Sequence, residues 1–300
     1  MITSFEQLVD EVKSVPRQVI SVAVAQDVDV LEALVKAQEA GLASAVLVGD
    51  RARMEALARE HNLNLSPFEI VNVPDEQEAV QTAIQLIREG KAEVLMKGLC
   101  STATLMKAVL NKDSGLRKSG LLSHLGIFQI GTYHKLILMS DAALNIAPTL
   151  EEKIGITRNA IAIAHRLGIE LPKVAMIAAV EKVNPGKMPA TTDAAIIAKM
   201  NERGQIKGAI IDGPLAVDNA FSRKSCEVKG IKSEVGGDAD IAIVPEIETG
   251  NVFYKLLSYL AGAKTAGIII GASVPIVLTS RADSEETKFL SIATAARVAG

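Results

Sequence analysis

The segment Ser280-Arg281-Ala282-Asp283-Ser284 directly follows the aliphatic run PIVLT and carries the sharpest chemical signal in the chain. An arginine between a buried strand and a helix that Ser284 can cap presents a planar fork of donors to a phosphate or carboxylate. The plainer alternative is a surface pair with Asp283 or Glu285. A second signal is Lys97-Gly98-Leu99-Cys100-Ser101-Thr102-Ala103-Thr104, which follows AEVLM. A glycine turn opening onto a hydroxyl-rich helix start is a natural anion site, although Ser101 would serve equally well as a simple cap. In ETGNVFYK, Asn251 and Lys255 are four apart and share one helical face. Asp141, Asn145, Asp218, Asn219 and Glu246 follow other strand-like runs. Read singly, each such group is a cap or a solvated charge. Together they read as a site, because ligands of open α/β sheets bind beyond the carboxyl ends of the strands. Cys100 also follows a strand, but no particular histidine can be assigned to activate it, so it reads as a buried, inert thiol. His124 and His134 fit the core or the surface as readily as an acid–base role. No GxGxxG, Walker, HExxH or GxSxG pattern occurs. The acidic residues between 212 and 248 are scattered over several loops, so no metal site is expected.

The elements that must position these groups alternate along the whole chain. Strand-length aliphatic runs lie at 19–25, 44–49, 68–73, 92–98, 135–140, 173–180, 208–213 and 240–245, and at 267–280, which divides near Gly271–Ser273. Helix-period stretches separate them. In 29–41, Leu31, Leu34 and Val35 share a face and Gly41 is a stop. In 149–168, Thr149 and Glu152 form a capping box and Gly168 ends the helix. Alternation of this kind predicts an α/β fold with a mostly parallel sheet. The pattern loosens over 111–131, which reads as a hairpin-like excursion.

Composition narrows the class further. Apolar residues are 49% of the 300, aromatics only 3% and charged residues 22%, with a net charge of −3. A chain this apolar folds rather than staying disordered, and its core must be aliphatic. No polybasic stretch supports nucleic-acid binding. Two cysteines, Cys100 and Cys226, make no disulfide framework. The opening MITSFEQLVDEVK is an acidic amphipathic stretch rather than a signal peptide. No apolar run reaches the ~18 residues of a membrane span. A cytoplasmic protein with no membrane or nucleic-acid partner is expected.

VNPGKMPATTDA (183–194), IDGPLAVDNAFS (211–222), GDADIAIVPEIETGNVFYK (237–255) and PIVLTSRADSEETKFLSIA (275–293), with LMKGLCSTATLMKAVL (95–110), closely resemble the phosphate acetyl/butyryltransferase family. The motifs occur in the family's order from residue 95 to the C-terminus; the first ~90 residues add only a compatible α/β pattern. The resemblance implies reversible transfer of a short acyl group, butyryl by preference, from acyl-CoA to phosphate, giving acyl phosphate and CoA. It implies no cofactor beyond CoA as substrate or product, and a homodimer or higher homo-oligomer. It further implies a two-domain three-layer α/β/α fold like isocitrate and isopropylmalate dehydrogenases, with mostly parallel sheets. One domain would comprise 1–140 and 280–300, the other 141–279 inserted in it, with the active cleft between them.

Residue by residue, Ser280 and Arg281 match the family's catalytic Ser-Arg pair. Thr104 and Lys107 align with a Thr and an Arg of the acetyl branch. The acetyl branch's proposed thiol base, seven residues after the serine, is Thr287 here, with Glu286 and Asp283 nearby. An arginine expected near Ser258 and Tyr259 is absent. These departures favour the butyryl branch. The expected substrate-binding set is Lys97, Gly98, Ser101, Thr104, Lys107, Asn251, Lys255 and Asp283. Competing readings are a phosphate acetyltransferase, a metal- and NAD-dependent decarboxylating dehydrogenase of the same fold, and a non-catalytic acyl-CoA or phosphate sensor.

Overall fold

The computed structural model describes residues 2–113, 115–118, 120–280 and 283–300. In chain order the elements are α1 (Phe5–Val12), β1 (Gln18–Ala23), α2 (Val28–Glu39), β2 (Ala43–Gly49), α3 (Arg51–Glu60), β3 (Glu69–Asn72), α4 (Glu76–Arg88), β4 (Val94–Lys97), α5 (Thr102–Val109), β5 (Ser123–Gln129), β6 (Ile137–Ser140), α6 (Leu150–Arg166), β7 (Lys173–Ile177), α7 (Pro189–Glu202), β8 (Ile210–Leu215), α8 (Val217–Phe221), α9 (Arg223–Lys229), β9 (Ile241–Ile243), α10 (Ile247–Lys255), a π-helical turn (Leu256–Leu260), β10 (Lys264–Ile270), β11 (Ile276–Val277) and α11 (Glu285–Ala299). No helix among the described residues is long and apolar enough to cross a membrane.

The chain divides into two compact units. Residues 5–120 and 265–300 form one, and residues 1–4 and 121–264 form the other. In the first, the strand order is β3-β2-β1-β4-β11-β10. All pairs are parallel except β10 with β11. The interior strands β1, β2 and β4 are buried almost throughout, as runs of Val, Ile, Leu and Ala require when helices cover both faces. The outer strand β3 is not. In the other unit the order is β5-β6-β9-β7-β8, parallel except β5 with β6.

Local chemistry sets the helix ends. Asp27 accepts the Val30 N–H to start α2, which closes before Gly41 at φ +74°. Thr149 and Glu152 form a reciprocal capping box at the start of α6, and Gly168 at φ +79° lies beyond its end. Leu31 and Leu34 are buried, as the helical spacing requires.

The unit boundaries differ from the 140/141 and 279/280 divisions expected from sequence. Strand β5 pairs with β6, and β6 with β9, so residues 121–140 belong with the middle segment. Strand β11 pairs with both β10 and β4, which draws residues 265–279 to the outer segments. Register, which no local pattern encodes, decides both.

An ion cluster gathers at the amino ends of β6, β7 and β9. Lys135 Nζ lies 2.7 Å from Asp240 Oδ1 and 3.0 Å from Asp238 Oδ1, and Lys173 Nζ lies 2.5 Å from Asp238 Oδ2. Burial pushes the Asp238 carboxyl up, but the hydrogen bonds from Lys173 and Lys135 outweigh it and hold the group well below the usual carboxylate range. A depressed folded pKa adds stability above the unfolded carboxylate pKa of about 3.9, and that stability is lost as pH falls toward the folded value. Asp238→Asn is therefore expected to lower unfolding free energy at pH 7 by about 1.5–3 kcal/mol. The gap to wild type should narrow below pH ~4. Denaturant titrations of both proteins at pH 7 and pH 3 check this; a gap independent of pH would contradict it.

Candidate functional site

In the unit built from the outer segments, β1 leads through α2 to β2 on one side, whereas β4 lies on its other side. This reversal of direction is where open α/β sheets place their ligands, beyond the strands' carboxyl ends. Strand β11 runs parallel to β4 with Val277 opposite Met96. The chain leaving β4 at Gly98 and the chain leaving β11 toward Ser280 thus depart from the same edge of two hydrogen-bonded neighbours.

The turn after β4 lies against the end of β1. Gly98 N–H donates to Ala23 O (2.9 Å) and Leu99 N–H to Val24 O (2.7 Å). A Cβ on Gly98 would stand 2.1 Å from Val24 O and 2.8 Å from Ala23 O, both backbone atoms. Val24 itself sits at φ +60°, a left-handed conformation that costs a β-branched residue about 1–3 kcal/mol. Lys97 is buried, and its ammonium turns back to donate to Gly98 O (2.9 Å) and Cys100 O (3.2 Å). Ser101 Oγ accepts the Thr104 N–H (3.0 Å) and shares a hydrogen bond with Thr104 Oγ1 (2.8 Å). Ser101 is thus the N-cap of α5, whose amino end carries partial positive charge. Lys107 is exposed one turn on and lines, with Thr104, Gln77, Gln81 and Asn111, a groove of about 460 Å³ between α4 and α5.

After β11, Ser280 and Asp283 bond each other reciprocally. Ser280 N–H donates to Asp283 Oδ2 (2.7 Å), and Asp283 N–H to Ser280 O (3.2 Å). Ser280 is exposed, and Ser284 accepts the Thr287 N–H to cap α11. Thr287 is buried, its Oγ1 within 3.2 Å of Thr265 Oγ1. Arg281, the arginine singled out from sequence, lies outside the described residues, as does Ala282.

The other unit carries its own polar group at the carboxyl ends of β6 and β9. The buried Asp141 carboxylate accepts N–H groups from Ala143 (2.9 Å), Leu144 (2.9 Å) and His124 (3.0 Å) and the Asn145 side chain (2.6 Å). Glu246 caps α10 through the Glu248 and Thr249 N–H groups. A Cβ on Gly250 would meet Asp141 O at 2.5 Å, so only glycine lets α10 approach this closely. On α10, Asn251 Nδ2 reaches Ala142 O at 3.4 Å and Lys255 is exposed.

Of the residues singled out from sequence, Lys97, Gly98, Ser101, Thr104, Lys107, Ser280 and Asp283 share one unit, most of them in two turns at one sheet edge. Asn251 and Lys255 lie on the other. Lys97, Ser101 and Asp283 are all engaged in holding backbone turns. Burial above all pushes the Cys100 thiol up to about 11, partly offset by the Lys97 charge, so it is a thiol and not a thiolate at neutral pH. Sequence reasoning missed Lys288, a buried lysine whose ammonium donates to Asp283 O at 2.6 Å, and the Val24–Gly98 contact. The only local hint of the second was a glycine directly after an aliphatic run.

Comparison with known proteins gives a consistent picture. The model of the family described as "Phosphate acetyl/butaryl transferase" matches residues 4–84 and 74–296. The phosphate butyryltransferase of Clostridium acetobutylicum is 49% identical over 300 residues, 100% of this chain and 99% of the relative. The phosphate acetyltransferase of Thermotoga maritima is 43% identical over 277 residues, 92% of this chain and 94% of the relative. Among solved structures, a branched-chain phosphotransacylase from Enterococcus faecalis V583 superposes with a TM-score of 0.83 at 34% identity, covering 94% of this chain and 99% of that one.

Proposed function

The chain belongs to the phosphate acetyl/butyryltransferase family, and on that premise we propose that the turns beyond β4 and β11 bind phosphate and an acyl-CoA thioester and transfer the acyl group between them. The chain is an acyltransferase. The observation that carries the site is the parallel pairing of β4 with β11, which brings a capped helix start and the Ser280 turn to one sheet edge. Butyryl is the acyl group best supported, by the full-length relative at 49% identity; acetyl is the second reading, supported by the relative at 43%. A decarboxylating dehydrogenase finds no support among these relatives.

Phosphate is already an anion, so it needs positioning more than activation. Arg281, the amino end of α5 and Lys107 supply that positioning in this reading, and effective molarity of this kind is worth ~7–11 kcal/mol. A phosphate oxygen attacks the thioester carbon, forming the C–O bond and a tetrahedral oxyanion. The Ser280 hydroxyl donates to that oxyanion, a contribution of roughly 2.7–4 kcal/mol. The C–S bond then breaks and its electron pair leaves on CoA sulfur. A thiolate with pKa near 8.5, by analogy with free cysteine, departs without strong acid help. In reverse the CoA thiol gives its proton to a base within hydrogen-bond reach, the sulfur bonds the acyl carbon, and the C–O bond breaks with its electron pair leaving on phosphate. Asn251 and Lys255 belong to the proposed substrate-binding set. The dehydrogenase-like three-layer form, a homo-oligomeric state and a cytoplasmic setting belong to the same proposal. Exposed Val252, Leu256, Tyr259 and Leu260 on α10 and the turn after it support an assembly that covers them.

Displacement of this kind uses no acyl-enzyme. Cys100→Ala is expected to retain most of the wild-type turnover, because a buried thiol with its pKa pushed up to about 11 is a poor nucleophile at neutral pH. Steady-state rates of the variant and mass spectrometry of protein quenched during turnover check this. A trapped acyl thioester on Cys100 would refute it. The reading as a whole is tested by release of CoA from acyl-CoA with and without phosphate.

A further inference from the structure

We propose that Lys288 is a positioning residue for acyl transfer, acting on Ser280 through Asp283; this rests on the functional reading above. Lys288 lies in the first turn of α11 and is 2% exposed. Its ammonium donates to Asp283 O at 2.6 Å and lies 3.3 Å from Asp29 Oδ2 in the first turn of α2. A buried ammonium is costly unless paired and hydrogen-bonded, and here it is spent on two contacts, one of them the backbone of the turn that presents Ser280. Ser280 N–H donates to Asp283 Oδ2 and Asp283 N–H to Ser280 O, so the two residues are tied together. Lys288 Nζ in turn joins Asp283 O to Asp29 at the start of α2. On the same helix, the Thr287 hydroxyl bonds Thr265 and Ser284, and the Ser291 hydroxyl donates to the Thr287 carbonyl and accepts the Gly267 N–H; neither reaches the Asp283 carbonyl that Lys288 holds.

Stability alone does not require a lysine here. Helices α2 and α11 are also joined by Lys36 to Glu285 at 3.0 Å. Asp29 is 43% exposed, so loss of its partner strands no buried charge. A methionine of similar length would fill the Lys288 space while removing the donor. The consequence expected of Lys288→Met is a displaced Ser280 turn on a folded protein, and misplacement near 1 Å costs up to about 10²-fold in rate.

The test is steady-state kinetics of phosphate-dependent CoA release, well below each protein's thermal midpoint. Wild type, Lys288→Met, Lys288→Arg and Glu285→Gln are compared. The proposal predicts that Lys288→Met lowers kcat/KM for phosphate by roughly tenfold or more, with KM for acyl-CoA within about twofold of wild type. Glu285→Gln, which breaks only the surface link between the same helices, should show wild-type kinetics. Should Lys288→Met not fold, Lys288→Arg decides. It keeps the charge but replaces a compact donor with a wider planar one, and is expected to fold with kcat/KM for phosphate lowered severalfold. A folded Lys288→Met, or failing that a folded Lys288→Arg, with wild-type kinetics would overturn the positioning role while leaving the acyltransferase reading intact. Absence of phosphate-dependent release in the wild type would overturn both.

Discussion

Ser280→Ala is expected to lower kcat for acyl transfer by roughly 10²–10³, the loss seen when one oxyanion donor is removed, with little change in KM for either substrate. A donor aimed at charge that develops during the reaction acts on the transition state, so its removal shows in kcat. Two bonds join Ser280 to Asp283 through the serine's backbone N–H and carbonyl, and alanine keeps both. The thermal midpoint should stay within a few degrees of wild type. Were Ser280 only a turn residue, alanine would cost at most ~0.5–2 kcal/mol, as for a lost cap, and leave kcat alone. Measuring midpoint and kcat on one sample decides: normal turnover with a lowered midpoint would make the serine structural.

The second large effect is expected at Gly98. An alanine Cβ would lie 2.1 Å from Val24 O, 2.7 Å from Val24 C and 2.8 Å from Ala23 O. No side chain can rotate away, because all three are backbone atoms of β1 and its end. Relief requires the β4–α5 turn to move off β1, breaking the bonds from Gly98 and Leu99 N–H. Overpacking of this kind costs about 3 kcal/mol, and the displaced turn carries Ser101, Thr104 and the start of α5. Gly98→Ala is expected to lower the thermal midpoint by roughly 6–12 °C and kcat/KM by about 10²-fold. Gly131→Ala, where a Cβ meets nothing within 4 Å, should be near wild type in both. Calorimetry and kinetics of the two variants check this. A Gly98→Ala protein matching Gly131→Ala would mean that the turn tolerates displacement.

The account of the fold that residues alone support is uneven, and the reasons are physical. Strands buried on both faces, such as β2 and β4, announce themselves as aliphatic runs. Strand β5 does not, because Ser123-His124-Leu125-Gly126 mixes two polar side chains and a glycine into a segment whose burial comes from neighbours far along the chain. Caps at Thr149 and Ser284 are local chemistry and were readable. Unit boundaries depend on which strands pair, and no local pattern encodes the registers of β6 with β9 or β11 with β4.

The site divides in the same way. Hydroxyls and glycine after β4, and the Ser280 turn after β11, follow strands and precede helices, so their positions were legible. Their adjacency was not, since it comes from β11 inserting beside β4 rather than at an edge. Lys288 was not legible at all: it meets Asp29 across 259 residues of sequence. In a linear reading it is one more charge in an acidic helix start. Asp283 looked like a ligand group, yet its carboxylate accepts the Ser280 N–H.

The most direct test of acyl transfer to phosphate is CoA thiol release from butyryl-CoA, followed at a series of phosphate concentrations and repeated with acetyl-CoA. The account predicts release that is negligible without phosphate, saturates with it, and proceeds with a higher kcat/KM for butyryl-CoA than for acetyl-CoA. A higher value for acetyl-CoA would contradict the butyryl assignment, and release that is absent or indifferent to phosphate would contradict the transfer itself.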